Sequence, residues 1–153
     1  MRVIVQEQPF DLAAEVESFA KGRTDLGAVV TFHGIVRGDD TGTLDHMMIE
    51  HYPGMTERAL EAIRERAGER WTLDGLSILH RVGQMEPGDL IVTVIACSRH
   101  RQNAFDACAF AMDYLKTEAP FWKLEDDGQG DAKWVDARES DHTARARWGE
   151  GSA

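Results

Sequence analysis

The sequence predicts a single α+β domain. A length of 153 residues suits one domain with a proper core and hardly two. Stretches with strand periodicity and stretches with helical periodicity follow one another, with no linker and no internal repeat between them. The run LIVTVIAC at 90–97 is apolar on both faces and belongs in the middle of a sheet.

Residues 2–5 read as a short strand. Asp11 can cap a helix on which Leu12, Val16, Phe19 and Ala20 share a face, and Gly22 ends it. Residues 27–36 are β-rich, with Ala28, Val30 and Phe32 facing one way and Val29, Thr31 and His33 the other. The polar GDDTGT at 38–43 is a mobile loop by composition. Residues 44–51 give a second strand, and Pro53-Gly54 turns the chain into a helix over about 56–69. Ala59, Ile63 and Ala67 pack on that helix, while Glu57, Arg58, Glu61 and Glu65 stay wet. Residues 73–82 form a further strand, followed by the turn signal EPGD at 86–89. After the central run, Ser98 can cap a helix whose Ala104, Cys108, Ala111 and Leu115 line one face. Pro120 pushes Ala119 out of the α region, so this helix should end within a residue or two of Glu118. Residues 121–124 and 133–137 look like two short strands around the DDGQGD loop at 126–131. The domain therefore spans 1–138. Residues 139–153 are polar, hold few large apolar groups beyond Trp148, and read as a weakly ordered tail.

The formal net charge of −10 argues against general nucleic-acid binding. No apolar run approaches the length of a membrane span and no leader-like N-terminus is present, so the chain is read as cytoplasmic, with no membrane partner. Cys97 and Cys108 form no CxxC pair and read as small core residues. His33, His46, His51, His80, His100 and His142 show no ligand spacing, so neither a metal nor another cofactor is called for. GxGxxG, Walker and GxSxG motifs do not occur, and dinucleotide, nucleotide and serine-hydrolase readings have no anchor.

What positive charge there is sits in particular places. In MDYLKTEAPFWK at 112–123, Lys116 leaves the last turn of a helix and Lys123 leaves an extended segment, on the same side as Phe121 and opposite Trp122. Met112, Tyr114, Phe121 and Trp122 are near this corner, and apolar surroundings lower a lysine's pKa until it becomes useful as an acid, base or nucleophile. Alternatively, the lysines only complement the helix dipole and a solvated strand face. SRHR at 98–101 stands where a strand hands over to a helix, so free backbone N–H groups, Arg99, His100 and Arg101 make an anion site, unless the arginines merely pair with surface acids. Arg37 and Arg138 can each grip a phosphate with two parallel hydrogen bonds, or simply stay solvated. An acidic protein that gathers cations at one place is suited to a small anion there.

The strings GAVVTFHGIVRG, EHYPGMTE, HRVG, PGD, MDYLKTEAPFWK and WVDARESD, in this order from about Pro9 to Trp148, closely resemble the catalytic, large subunit of molybdopterin synthase. The resemblance implies an α/β hammerhead fold with an added β subdomain. It implies sulfur transfer from the C-terminal thiocarboxylate of a small ubiquitin-like partner ending in Gly-Gly to cyclic pyranopterin monophosphate, giving the dithiolene of molybdopterin. On that basis Lys116 is the acid/base group and Lys123 holds the thiocarboxylate or a developing negative charge. Arg37, His100, Arg101, Arg138, Met112 and Phe32 belong to the substrate pocket, although Phe32 taken alone would more often be core. Sulfur comes from the partner, so no catalytic cysteine is required. Two rival readings are a non-catalytic adaptor for a ubiquitin-like partner and a small phosphoester hydrolase.

Geometry adds one expectation. His100 and Arg101 begin the helix that Lys116 ends, which separates them by roughly 22–24 Å at 1.5 Å per residue. A pterin phosphate is far shorter. A homodimer with two composite sites, each docking one small partner, solves this and agrees with the heterotetramer that the resemblance implies.

Overall fold

The structure is a computed structural model that describes residues 2–38, 42, 44–135 and 138–149. Two four-stranded sheets carry it. The first has the order β1 (Val3–Gln6), β4 (Gly75–Arg81), β6 (Leu90–Ser98), β2 (Ala28–Ile35); the second has the order β5 (Gly83–Met85), β3 (His46–His51), β7 (Phe121–Asp126), β8 (Ala132–Val135). The helices are α1 (Leu12–Ala20), α2 (Met55–Arg70), α3 (Arg101–Glu118) and α4 (Glu139–Ala146). One buried cluster draws residues from both sheets and from α2 and α3, including Ile49, Ile63, Ile78, Val94 and Phe110. This is the α+β single domain read from the sequence, with the second sheet as the added β subdomain.

The central position of β6 follows from its composition. It pairs antiparallel with β4 on one side and β2 on the other, and the residues from Ile91 to Ser98 are all buried. α3 packs against β6, with Cys108 reaching the Val94 carbonyl, and its Ala104, Ala107, Cys108, Ala111 and Leu115 are all buried. Both cysteines are free and buried, and desolvation pushes each thiol up to about 11, in keeping with packing rather than reactivity.

Local chemistry sets the boundaries. The Asp11 carboxylate accepts from the Ala14 N–H and caps α1. Ser98 does not cap α3: His100 occupies the cap position without a side-chain bond, and the Ser98 hydroxyl accepts from the His100 N–H while donating to the Thr72 carbonyl. The strand expected over 73–82 leaves its sheet after Arg81. Gly83, at φ +82°, starts β5, which pairs with β3 in the other sheet. In β2 the pairing register with β6 shifts between Gly34 and Ile35, and a Cβ on Gly34 would stand 2.6 Å from Val92 Cγ1.

The polar segment after Arg138 contains α4, docked on α3 by contacts that composition does not show. Glu118 bridges Arg66 and Arg145, Asp113 accepts from Arg147 and from the indole N–H of Trp148, and Trp148 meets Trp71 and Phe110 edge-on. The remainder of that segment, 150–153, lies outside the described residues, as do 39–41 and 43 of the loop expected to be mobile.

Candidate active site

α3 stops where Pro120 requires. Ala119 is extended and donates to the Leu115 carbonyl, and the Phe121 N–H donates to Ala119 O at 2.9 Å, closing a sharp corner. The Thr56 hydroxyl at the start of α2 donates to Pro120 O at 3.2 Å and pins that corner to the neighbouring helix. β7 then runs between β3 and β8, with Lys123 opposite Ile49 on one side and Val135 on the other. A backbone paired on both edges holds the lysine's direction. Trp122 points the other way and is exposed, as alternation requires.

Lys116 and Lys123 both open into a cavity of about 530 Å³. Its floor includes Met112 and Leu115 from α3, and Phe32, on β2, stands 39% exposed at its wall. Arg37, which follows the β2 register shift, and Arg138, at the start of α4, line it as well. Four cationic side chains thus reach one cavity from α3, β7, the segment after β2 and the N-cap of α4. None of the four makes a salt bridge among the described residues. Elsewhere the arginines pair freely, as in Arg23 with Asp25 and Arg147 with Asp113.

Lys123 is largely buried, and its pKa is held below the usual lysine value, first by desolvation and then by repulsion from Lys116, with Arg138 adding to the effect. Asp141 and Glu125 act in the opposite sense. The Asp141 carboxylate also accepts from the backbone N–H of Arg138 at 3.2 Å, which fixes the entry to α4. A partly desolvated ammonium beside a second cation is suited to binding an anion. Among the described residues no group of three or more His, Cys, Asp or Glu is arranged to hold a metal ion.

The structure therefore brings together six of the residues singled out from the sequence: Phe32, Arg37, Met112, Lys116, Lys123 and Arg138. It does not bring His100 and Arg101 to them. Both are exposed at the far end of α3, which runs unbroken for 18 residues. Sequence reasoning did not single out His80, Glu125 and Asp141, which also line the cavity. Glu125 was within reach, because the alternation that pairs Phe121 with Lys123 continues to it.

The sequence profile of the MoaE protein family matches residues 5–118. The chain belongs to the MoaE family. The MoaE chain described as molybdopterin synthase catalytic subunit in Pseudomonas aeruginosa is 51% identical over 151 residues, covering 98% of this chain and 100% of that one. A solved structure, molybdopterin cofactor biosynthesis protein E from Burkholderia multivorans, is 48% identical and superposes with a TM-score of 0.81, covering 99% of this chain and 98% of that one. A protein–protein complex of subunits 1 and 2 of molybdopterin-converting factor from Helicobacter pylori contains a chain of the same fold, at 19% identity and TM-score 0.72, with 90% of each chain covered. The family places the fold and the enzyme class of the chain. The cavity is the part of it that chemistry can use.

Proposed function

We propose that the chain is the catalytic subunit of a molybdopterin synthase, a sulfurtransferase of molybdenum cofactor biosynthesis. It takes sulfur from the C-terminal thiocarboxylate of a small ubiquitin-like carrier ending in Gly-Gly and delivers it to cyclic pyranopterin monophosphate. The observation that carries this reading is the convergence of Arg37, Lys116, Lys123 and Arg138, none of them ion-paired among the described residues, on one cavity lined by polar and apolar residues alike. Both substrates are anions. Arginine matches the phosphate with paired hydrogen bonds, and a desolvated lysine matches a thiocarboxylate or the charge that grows as its sulfur attacks.

Lys116 is assigned the acid/base role at the pterin carbons, since it stands at the rim where α3 ends and can exchange protons with solvent. Lys123, more deeply set, holds the thiocarboxylate. Met112 and Phe32 shape the pterin side. His100 and Arg101 serve the site of a second copy, so that the working form is a homodimer that binds one carrier per subunit. The H. pylori two-subunit complex supports the existence of such a carrier. The reading places the protein in the cytoplasm, and no helix among the described residues is long and apolar enough to cross a membrane.

The test is Lys116→Ala, assayed with thiocarboxylated carrier and precursor. Alanine is the better helix former, so the fold should survive, while product formation should fall at least a hundredfold. A near wild-type rate would overturn the assignment of the chemistry.

A further inference from the structure

The helix that carries Lys116 also carries a second set of contacts. On α3, Met112, Leu115 and Lys116 line the cavity. Phe110, Asp113, Tyr114 and Glu118 lie on roughly the opposite side of that helix, at about 100° per residue, and they receive the end of the chain. The Asp113 side chain is 16% exposed. Its Oδ2 accepts from Arg147 Nε at 3.1 Å, from Arg147 Nη2 at 2.8 Å and from the Trp148 indole N–H at 2.6 Å. Glu118 takes Arg145 at 2.6 Å, and that guanidinium lies 5.0 Å from the centre of the Tyr114 ring. Trp148 meets Phe110 edge-on, and its carbonyl accepts from Arg70 at 2.9 Å. These contacts grip the C-terminal end of α4 and the residues just beyond it.

The other end of α4 is at the cavity, where Arg138, Ser140 and Asp141 line the wall. Arg138 is the N-cap, and both of its backbone groups are tied to Asp141. Its N–H donates to the Asp141 carboxylate at 3.2 Å, and its carbonyl accepts from the Asp141 N–H at 2.9 Å. Arg138 therefore goes where the first turn of α4 goes. α4 buries none of its own residues, and at eight residues it has little stability alone, so its placement depends on the clasped end. The step from Arg138 to Arg147 is about 13 Å of helix at a rise of about 1.5 Å per residue. α4 is thus a short strut, fixed to the back of α3 at one end and presenting an arginine to the cavity at the other.

We infer that Asp113 is a positioning residue for Arg138: by holding Arg147 and Trp148 it fixes α4 against α3 and so keeps the Arg138 guanidinium in the cavity with Lys116. This rests on the phosphate-binding role proposed above for arginine in this cavity. Asp113 is not one of the cavity's lining residues, so it acts through the strut and touches no substrate. Asp113 and Lys116 lie within one turn of α3, and the clasp therefore sets the arginine and the lysine relative to each other. A precursor held by its phosphate at one and attacked at its ring beside the other needs that spacing fixed. If the clasp served the fold alone, its loss would lower Tm and leave the KM of the folded enzyme unchanged.

The test compares Asp113→Ala, Arg138→Ala and the double variant in turnover with thiocarboxylated carrier and precursor, with Tm measured for each. Arg138→Ala should raise the KM for precursor about tenfold, because it removes a grip on the phosphate away from the reacting carbons. Asp113→Ala should raise the same KM at least about threefold, with kcat and the KM for carrier within about twofold of wild type. On the Arg138→Ala background, Asp113→Ala should add nothing to that KM, although it lowers Tm by a similar amount in both backgrounds. A wild-type precursor KM in Asp113→Ala would overturn the inference. So would a rise that persists in full on the Arg138→Ala background, since Asp113 would then act by another route. Should Asp113→Ala not fold, Arg147→Ala removes the arginine half of the clasp and is judged by the same two criteria. Arg138→Ala also separates the two proposals. A wild-type precursor KM in that variant defeats the phosphate role of Arg138 first, whereas a raised KM there beside a wild-type KM in Asp113→Ala defeats this inference alone.

Discussion

The proposed site needs residues from both ends of α3, and that requirement can be tested by mixing two inactive variants. Arg101 and Lys116 lie fifteen residues apart on an unbroken helix, which places them about 22 Å apart along its axis. A cavity of about 530 Å³ is roughly 10 Å across if it were spherical, so one cavity cannot span both within a chain. In a twofold dimer the helix start of one subunit meets the lysine corner of the other. His100→Ala and Lys116→Ala, mixed in equal amounts and allowed to exchange, should yield half heterodimers. Each heterodimer has one site with both defects and one with neither, so about a quarter of wild-type activity should return. If each site lay within one chain, every site in the mixture would carry one defect and no activity would return. The assay is product formation before and after exchange, with exchange followed by native mass spectrometry. Exchange without recovery would return the whole site to a single chain.

Two further outcomes are expected. Trp148→Ala removes two edge-on aromatic contacts and an indole hydrogen bond to the Asp113 carboxylate. Together these hold α4 by about 3 kcal/mol, so amide protection across α4 should fall roughly a hundredfold while β6 is unchanged; equal protection in both proteins would show that α4 is held by something else. Lys123 binds its proton less tightly folded than unfolded, so its cost to stability is complete below its folded pKa and is relieved as pH rises toward 10.5. Lys123→Met should therefore raise Tm at pH 7, with the gain shrinking at alkaline pH, and a constant difference across that range would contradict the shift.

The parts of the fold that were legible in the sequence are those where one local feature decides. The two-sided apolar run of β6 could only be central, and Pro120 could only end α3 near Glu118. The parts that were not legible depend on distant partners. The HRVG string reads as one strand with what precedes it, because nothing local says that Gly83 hands the chain to a second sheet. An eight-residue helix such as α4 has little stability of its own. It forms here because Glu118 and Asp113, many residues earlier, present carboxylates to Arg145, Arg147 and Trp148. Composition counts those residues as polar tail and misses the clasp.

The site divides in the same way. Alternation along β7 puts Lys123 beside Phe121, and the helix stop puts Lys116 beside both, so the lysine corner can be read from one string of twelve residues. His80 cannot be read this way, because a histidine in an all-buried strand looks the same whether it faces core or cavity. The convergence of Arg37 and Arg138 on the lysines is likewise a product of topology. In a chain of net charge −10, carboxylates are plentiful and most basic groups could find one, as Arg23, Arg66, Arg145 and Arg147 do. Four cations line one cavity without ion pairs among the described residues, and the pKa of Lys123 is lowered first by burial and then by repulsion from Lys116 and Arg138. Such an arrangement is unfavourable for an empty protein and becomes favourable when anions enter, so the cations without ion pairs among the described residues favour the anionic ligands proposed above.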